Sequence, residues 1–291
     1  MRIFHISWTG LLLIMLALFL YLRPMSVNYL NYLIWKNTSN PATQTGFIEN
    51  RGAYIHYVAY GHGYPLLLLH GGLSNKLTWF SQVPWLVAAG RQVILIDTRG
   101  HGDSTHGNLE LSYQLFAEDA KRVLDQLNIQ RTDIVGWSDG GITALLLDLK
   151  APERVNRIVA ISANFHPSGL IPESSRTLTQ DSHQTQNQII DILRNWWPDT
   201  HNAHPNLENE LYKLWQTSPQ LKHADLQAIK APTLIIAGEN DVIDLQHSGE
   251  LAQMLAFGKI EIILGAGHAS LITHAKQINE LIASFLGIDI N

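Results

Sequence analysis

The chain has 291 residues, and its 20 Lys and Arg against 25 Asp and Glu leave a formal net charge of −5. That near balance argues against nucleic acid as a partner, and the absence of cysteine excludes disulfides, thiol catalysis and thiolate metal sites. No HExxH helix, carboxylate-rich metal loop or glycine-rich phosphate loop followed by lysine occurs, so neither a metal nor a cofactor is expected.

The amino terminus opens with an uncharged run, Ile3 to Leu22, with Trp8 and Tyr21 near its ends. Its length, about 20 residues, predicts an uncleaved transmembrane anchor over residues 1–23, and with it a membrane location whose side stays open. No small-x-small cleavage site follows, which disfavours a removed signal peptide. Residues 24–46 read as a juxtamembrane linker. Within it, the apolar-aromatic stretch Val27 to Trp35 is too short to cross, and Asn37 to Gly46 is polar.

An antiparallel pair is predicted next, Phe47 to Asn50 with Ala53 to Tyr60, turned by Arg51-Gly52. Leu66 to Leu69 is a continuous apolar strand that runs into His70-Gly71-Gly72, with Trp79 beyond it. Strand Val93 to Asp97 leads into Thr98-Arg99-Gly100-His101-Gly102-Asp103-Ser104, and a helix is predicted over Ser112 to Leu127. Strand Thr132 to Val135 turns through Gly136-Trp137-Ser138-Asp139-Gly140-Gly141 into an apolar helix ending near Lys150. After strand Val155 to Ile161 the alternation breaks, and residues 164–228 are rich in His, Gln, Asn and Trp. A structureless loop of that length is improbable on physical grounds, so a helical cap is expected, with helices around Gln186 to Trp197 and Leu207 to Trp215. Its Trp196, Trp197, Tyr212 and Trp215 either wall a substrate pocket or seal the cap to the core. Strand Thr233 to Ala237 then ends in Gly238-Glu239-Asn240-Asp241, a helix covers Gln246 to Leu255, and strand Ile260 to Leu264 leads to Gly265-Ala266-Gly267-His268 before a last helix over Ile272 to Phe285. Strands alternating with helices in this way predict an α/β fold with a mostly parallel sheet and helices on both faces.

Ser138 sits where a strand becomes a helix between small residues, a turn tight enough to strain its backbone and expose its hydroxyl as a nucleophile. A serine nucleophile needs a base, an acid that orients the base, and donors for the oxyanion. His268 is the candidate base and Asp241 the candidate acid, because catalytic groups in parallel sheets gather outside the carboxyl ends of the strands. Asp244 is a rival acid, but its position at the start of the next helix suits an N-cap. The oxyanion donors are assigned to the N–H groups of Asp139 and Gly72. Two readings of the Asp139 side chain stand equally open, a salt bridge to a substrate ammonium group and a favourable charge at the start of a helix. Trp137, read first as a packing aromatic like Trp79, is also a candidate lining of the acyl pocket. His70 and His101 are expected to hold loops through hydrogen bonds, and Asp97, Arg99 and Asp103 to pin a turn beneath the site.

From about Phe47 to Leu286 the chain resembles the α/β-hydrolase superfamily. The resemblance rests on His70-Gly71-Gly72 with Trp79, Asp97 to Ser104, Gly136 to Gly141, and the Asp241 and His268 pair in the order Ser, Asp, His. Within it, the elbow Gly136 to Gly141 with Ile142-Thr143-Ala144-Leu145 is similar to the biphenyl hydrolase-like group, which includes amino-acid ester hydrolases. The resemblance implies an eight-stranded sheet, a core of residues 47–163 and 229–291, a helical cap at 164–228, and a serine hydrolase of small-molecule carboxylic esters acting through an acyl-enzyme. Amides, lactones, C–C bond cleavage and perhydrolysis use the same triad. A non-catalytic binding module on this fold is the alternative from another class.

Overall fold

The computed structural model describes residues 23–39, 43–171 and 204–289. Among the described residues, 23–39 belong to one unit and 43–289 to a second. The first contributes helix α1 (Arg23–Thr38), whose last turn is closed by Asn37 and Thr38 side chains donating to the carbonyls of Leu33 and Ile34.

The amino terminus departs from the sequence expectation. Among the described residues no helix is long and apolar enough to cross a membrane. The 16 residues of α1, with Arg23 at one end and Lys36 near the other, fall short of the roughly 20 apolar residues that a span requires. This corrects the expectation of a transmembrane helix, and with it the membrane location and membrane partner drawn from that helix; residues 3–22, on which it was read, lie outside the described residues. The supposed linker at 24–46 also differs, because it contains α1 and the first residues of a strand.

The second unit is built on eight strands: β1 (Thr43–Asn50), β2 (Ala53–Tyr60), β3 (Pro65–Leu69), β4 (Gln92–Ile96), β5 (Thr132–Trp137), β6 (Val155–Ile161), β7 (Thr233–Gly238) and β8 (Gly258–Ile263). They form one sheet in the order β1-β2-β4-β3-β5-β6-β7-β8. The β1–β2 and β2–β4 pairings are antiparallel and every other pairing is parallel. Strand β1 starts earlier than its apolar residues suggested. It is an edge strand, so pairing of Thr43 to Gly46 with Val58, Tyr57 and their neighbours, rather than an apolar pattern, extends it. The β1–β2 turn places Arg51 and Gly52 at positive φ, as a two-residue hairpin demands.

Helices α2 (Val83–Ala88), α3 (Tyr113–Gln126) and α4 (Asp139–Lys150) connect β3 to β4, β4 to β5 and β5 to β6. Because parallel crossovers are right-handed, α2, moving one way along the sheet, lies on one face, and α3 and α4, moving the other way, lie on the opposite face. Ser112 caps α3 by accepting from the Leu115 N–H. Between β6 and β7 come α5 (Leu207–Thr217) and α6 (His223–Ala228), and α7 (Leu245–Met254) joins β7 to β8. The predicted helix around Gln186 to Trp197, with Trp196 and Trp197, lies outside the described residues. After β8, a short α8 (Ser270–Thr273) and a longer α9 (Ala275–Leu286) follow. The last helix returns to the face of α2, where the Gln82 amide donates to the Leu271 carbonyl and to Asn279 Oδ1.

The core is aliphatic where the sheet meets the helices: Leu67, Leu69, Ile94, Ile134, Ile158 and Ile235 from the strands pack with Ile142, Leu145, Val123 and Leu124. Strands β3 to β7 are buried along almost their whole length, which explains why they read as unbroken apolar runs.

Candidate active site

Three loops at the carboxyl ends of β5, β7 and β8 carry the site. Ser138 follows β5 directly, with φ 54° and ψ −118°, and its N–H donates to the Ile161 carbonyl at 2.8 Å. Neither flanking glycine is replaceable without movement. A Cβ on Gly136 would lie 2.2 Å from the Gly140 carbonyl oxygen, and one on Gly140 would lie 2.1 Å from that of Leu69. The sterics of the turn therefore dictate both glycines and force the serine into the left-handed region, where a non-glycine residue is strained.

His268 lies on the loop after β8. Its Nε2 is 3.0 Å from Ser138 Oγ and its Nδ1 is 2.7 Å from Asp241 Oδ1. The carboxylate fixes the tautomer: Nδ1–H donates to Asp241, which leaves the Nε2 lone pair for the serine hydroxyl. Asp241 is buried, and its Oδ1 also accepts from the Ile243 N–H at 3.2 Å while Oδ2 accepts from Ser162 Oγ. Burial by itself raises the carboxyl, but the interaction with His268 and the bonds from His268, Ser162 and the Ile243 N–H outweigh it and hold the group below its ordinary value. Asp244 lies elsewhere. It accepts from the His247 N–H at 3.0 Å and caps α7, as an aspartate at that position should.

Gly72 and Asp139 meet beside Ser138. A Cβ on Gly72 would be 2.5 Å from Asp139 Oδ2 and 2.6 Å from Trp215 Cζ2, so the backbone there approaches its neighbours as closely as only glycine allows. As the first residue of α4, Asp139 has an N–H that precedes the helical ladder. Its carboxylate neither meets a cation nor caps the helix: it accepts from Tyr113 Oη at 2.8 Å and from Trp215 Nε1 at 3.0 Å. Desolvation is the largest influence on it and raises its pKa, with the two donors and His268 acting in the opposite sense. The same desolvation, with the neighbouring carboxylate, drives the Tyr113 phenol well above its ordinary value.

Trp137 supports the histidine loop. Its indole Nε1 donates to the His268 carbonyl at 2.8 Å, and its ring lies 5.5 Å from the imidazole. Trp79 is fully buried packing. His70 accepts the Thr98 N–H at Nε2 (2.9 Å), so its Nδ1 carries the proton that is donated to the Gly71 carbonyl. His101 uses the same arrangement, accepting from the Leu73 N–H and donating to the Arg99 carbonyl. Burial, then the neighbouring His70, depresses the His101 ring to about 3. Both imidazoles are thus neutral loop braces. Arg99 forms a two-pronged pair with Asp119 and also donates to the Asn50 carbonyl, while Lys76 bridges Asp97 and Asp103.

Sequence reasoning missed Ser162, Tyr113, Asp119 and Lys76. Ser162 alone had a partial signal, its place directly after a buried parallel strand, at the carboxyl ends where catalytic groups collect, although its partner was not readable. Two clusters among the described residues each bring three potential metal ligands together. In His106, His204 and Glu210 the imidazoles stack at 4.2 Å and 23°, so their in-plane lone pairs run side by side rather than converge. In His56, Asp97 and Asp103 the Lys76 ammonium already bridges the two carboxylates.

Ser138, His268 and Asp241 thus form a continuous hydrogen-bonded chain, and known proteins share the frame that carries it. A family model described as alpha/beta hydrolase fold matches residues 64–200. The 2-hydroxymuconate semialdehyde hydrolase of Pseudomonas sp. (strain CF600) is 28% identical over 251 residues, covering 78% of this chain and 88% of the relative. Serine hydrolase BPHL of Mus musculus is 25% identical over 265 residues, covering 86% of this chain and 88% of the relative. The solved structure of Est816, described as an N-acyl homoserine lactone degrading enzyme, matches with a TM-score of 0.71 and 27% identity, over 82% of this chain and all of that one. Its eight-stranded sheet, its elbow and these relatives together support membership of the α/β-hydrolase superfamily.

Proposed function

We propose that the protein is a serine hydrolase of small carboxylic esters that works through an acyl-enzyme, with residues 164–228 as a cap that shapes the substrate pocket. The unbroken chain Ser138 Oγ, His268 and Asp241, at 3.0 and 2.7 Å, carries this reading. Ser138 attacks the carbonyl carbon as His268 Nε2 takes the hydroxyl proton. Asp241 holds the imidazole in the required tautomer and stabilises the imidazolium that forms. The negative oxygen of the tetrahedral intermediate is placed against the N–H groups of Gly72 and Asp139. His268 returns the proton to the leaving alcohol, and a water, deprotonated by the same imidazole, attacks the acyl-serine and releases the acid.

The test is turnover of a short-chain nitrophenyl ester by wild type and S138A. Loss of turnover in the folded variant supports the proposal. Equal turnover by both proteins, or none by a folded wild type, sinks it, and the second result favours a binding module. The likeness to the lactone-degrading Est816 supports a lactone reading of the same site, and the likeness to the semialdehyde hydrolase a C–C bond one. A panel of esters, acyl lactones and vinylogous diketones separates them by kcat/KM. Asp139 adds a preference to test. Its hydrogen-bond donors, the Tyr113 phenol and the Trp215 indole, are both neutral, which supports a substrate carrying an α-ammonium group. If α-amino esters and their des-amino analogues are hydrolysed with the same ratio by wild type and D139N, that preference is wrong.

A further inference from the structure

Ser162 closes β6 with φ 54°, a left-handed conformation that glycine adopts freely and serine does not. Its side chain is almost wholly buried, so solvation of the hydroxyl gives no reason for a serine here. The hydroxyl instead spans the gap between strands: Oγ donates to Asp241 Oδ2 at 2.5 Å, and lies 3.4 Å from the His268 carbonyl. The backbone is fixed from the other side by the Ser162 N–H donating to the Ile236 carbonyl at 2.8 Å. Asp241 Oδ1 serves His268 and the Ile243 N–H, so Oδ2 is the oxygen that Ser162 controls.

We propose that Ser162 is a positioning residue, whose hydroxyl sets the rotation of the Asp241 carboxylate and tempers its charge, thereby setting the pH range over which His268 acts as a base. This rests on the triad reading above. The chemistry is directional. A donated O–H stabilises the charged carboxylate. Without it, Asp241 binds the imidazolium more tightly, and the neutral imidazole that must accept the serine proton becomes scarcer in mild acid. The ionisable group facing Asp241 is His268, while Ser162 and the Ile243 N–H are neutral; His268 itself also faces Asp139 from the start of α4.

The experiment compares wild type, S162A and S162G by the pH dependence of kcat/KM on a nitrophenyl ester and by the downfield proton resonance of the His268–Asp241 hydrogen bond, assigned by its absence in H268Q. Both variants should lose about tenfold in kcat with little change in KM, their acid limbs moving up by about half a pH unit. The downfield resonance should shift or broaden in both. S162G relieves the backbone strain but lacks the hydroxyl, so a glycine variant that behaves as wild type assigns the role to the backbone and overturns the proposal. A uniform loss of activity with an unmoved acid limb also overturns it, as does an unchanged resonance. If S162A does not fold, S162G, whose conformation the site accepts, carries the same comparison. The resonance needs no substrate, so it judges Ser162 even in a wild type that hydrolyses no ester, a result that instead defeats the triad reading.

Discussion

The two sides of the site are held by different physics. Below, Ser138, Asp241 and His268 come from loops that follow buried strands, and each is fixed by contacts that leave few alternatives: glycine positions within 2.2 Å of backbone, and a carboxylate with three donors. Above, α5 of the segment between β6 and β7 reaches the site through the indole of Trp215, which donates to Asp139 and lies against Gly72. The lower side is therefore where the chemistry is set. Among the described residues the upper side touches that chemistry through Trp215, and so it is the place where substrate preference can change without loss of the nucleophile.

The sharpest way to break this contrast is in the acid. D241N should lower kcat by about 10⁴, through the wrong tautomer of His268, while D244A should leave kcat near wild type and cost about 1 kcal/mol of stability as a lost helix cap. Steady-state kinetics with denaturant unfolding separates the two, and equal kinetic losses would void the assignment of Asp241. A smaller but still large effect is expected for G72A. Its new Cβ must displace Asp139 or Trp215, so kcat should fall by about 10² with the fold retained. Wild-type kinetics in G72A would remove Gly72 from the oxyanion site.

On the upper side, W215F deletes the indole donor but keeps most of the packing. We expect its effects to fall on the ratio of kcat/KM between acyl groups of different size, by about tenfold, and not on the nucleophile's reaction with a small phosphonate. A uniform loss across all acyl groups would instead tie Trp215 to the chemistry. The smallest effect concerns pH. Burial raises Asp139 above its reference of 3.8, so the native state binds that proton more tightly than the unfolded chain does. Its contribution to stability is therefore full below that reference and is lost as pH rises through the native value. Asp241 has the opposite sign: its contribution is present above the reference and is lost as pH falls through the depressed native value. The unfolding free energy of wild type relative to D139N should decline as pH rises above about 4, and a flat difference would show that Asp139 is not raised.

The legibility of the sequence follows the same division. Strands β3 to β7 and the elbow could be read because full burial demands apolar runs and tight turns demand glycine, both of which are local signals. Gly136 and Gly140 are positions of that kind. What could not be read depends on contacts between distant residues. Nothing near Ser162 announces that its hydroxyl reaches Asp241, 79 positions away, and nothing near Trp215 announces Asp139, 76 positions before it. Trp137 illustrates a local reading redirected by a distant partner, since its indole serves the His268 carbonyl 131 positions on. The amino terminus is corrected on other grounds: the expected span over residues 3–22 lies outside the described residues, and among those described no helix is long and apolar enough to cross a membrane.

The central claim is that Ser138 is a nucleophile activated by His268, and covalent labelling tests it most directly. Wild type, S138A and H268Q would be incubated with a fluorophosphonate, digested, and the adduct mapped by mass spectrometry. The account predicts stoichiometric phosphonylation of Ser138 in the wild type, none in S138A, and a rate lowered by about 10³ or more in H268Q. A folded wild type left unmodified at Ser138, or labelled equally fast without His268, would contradict it.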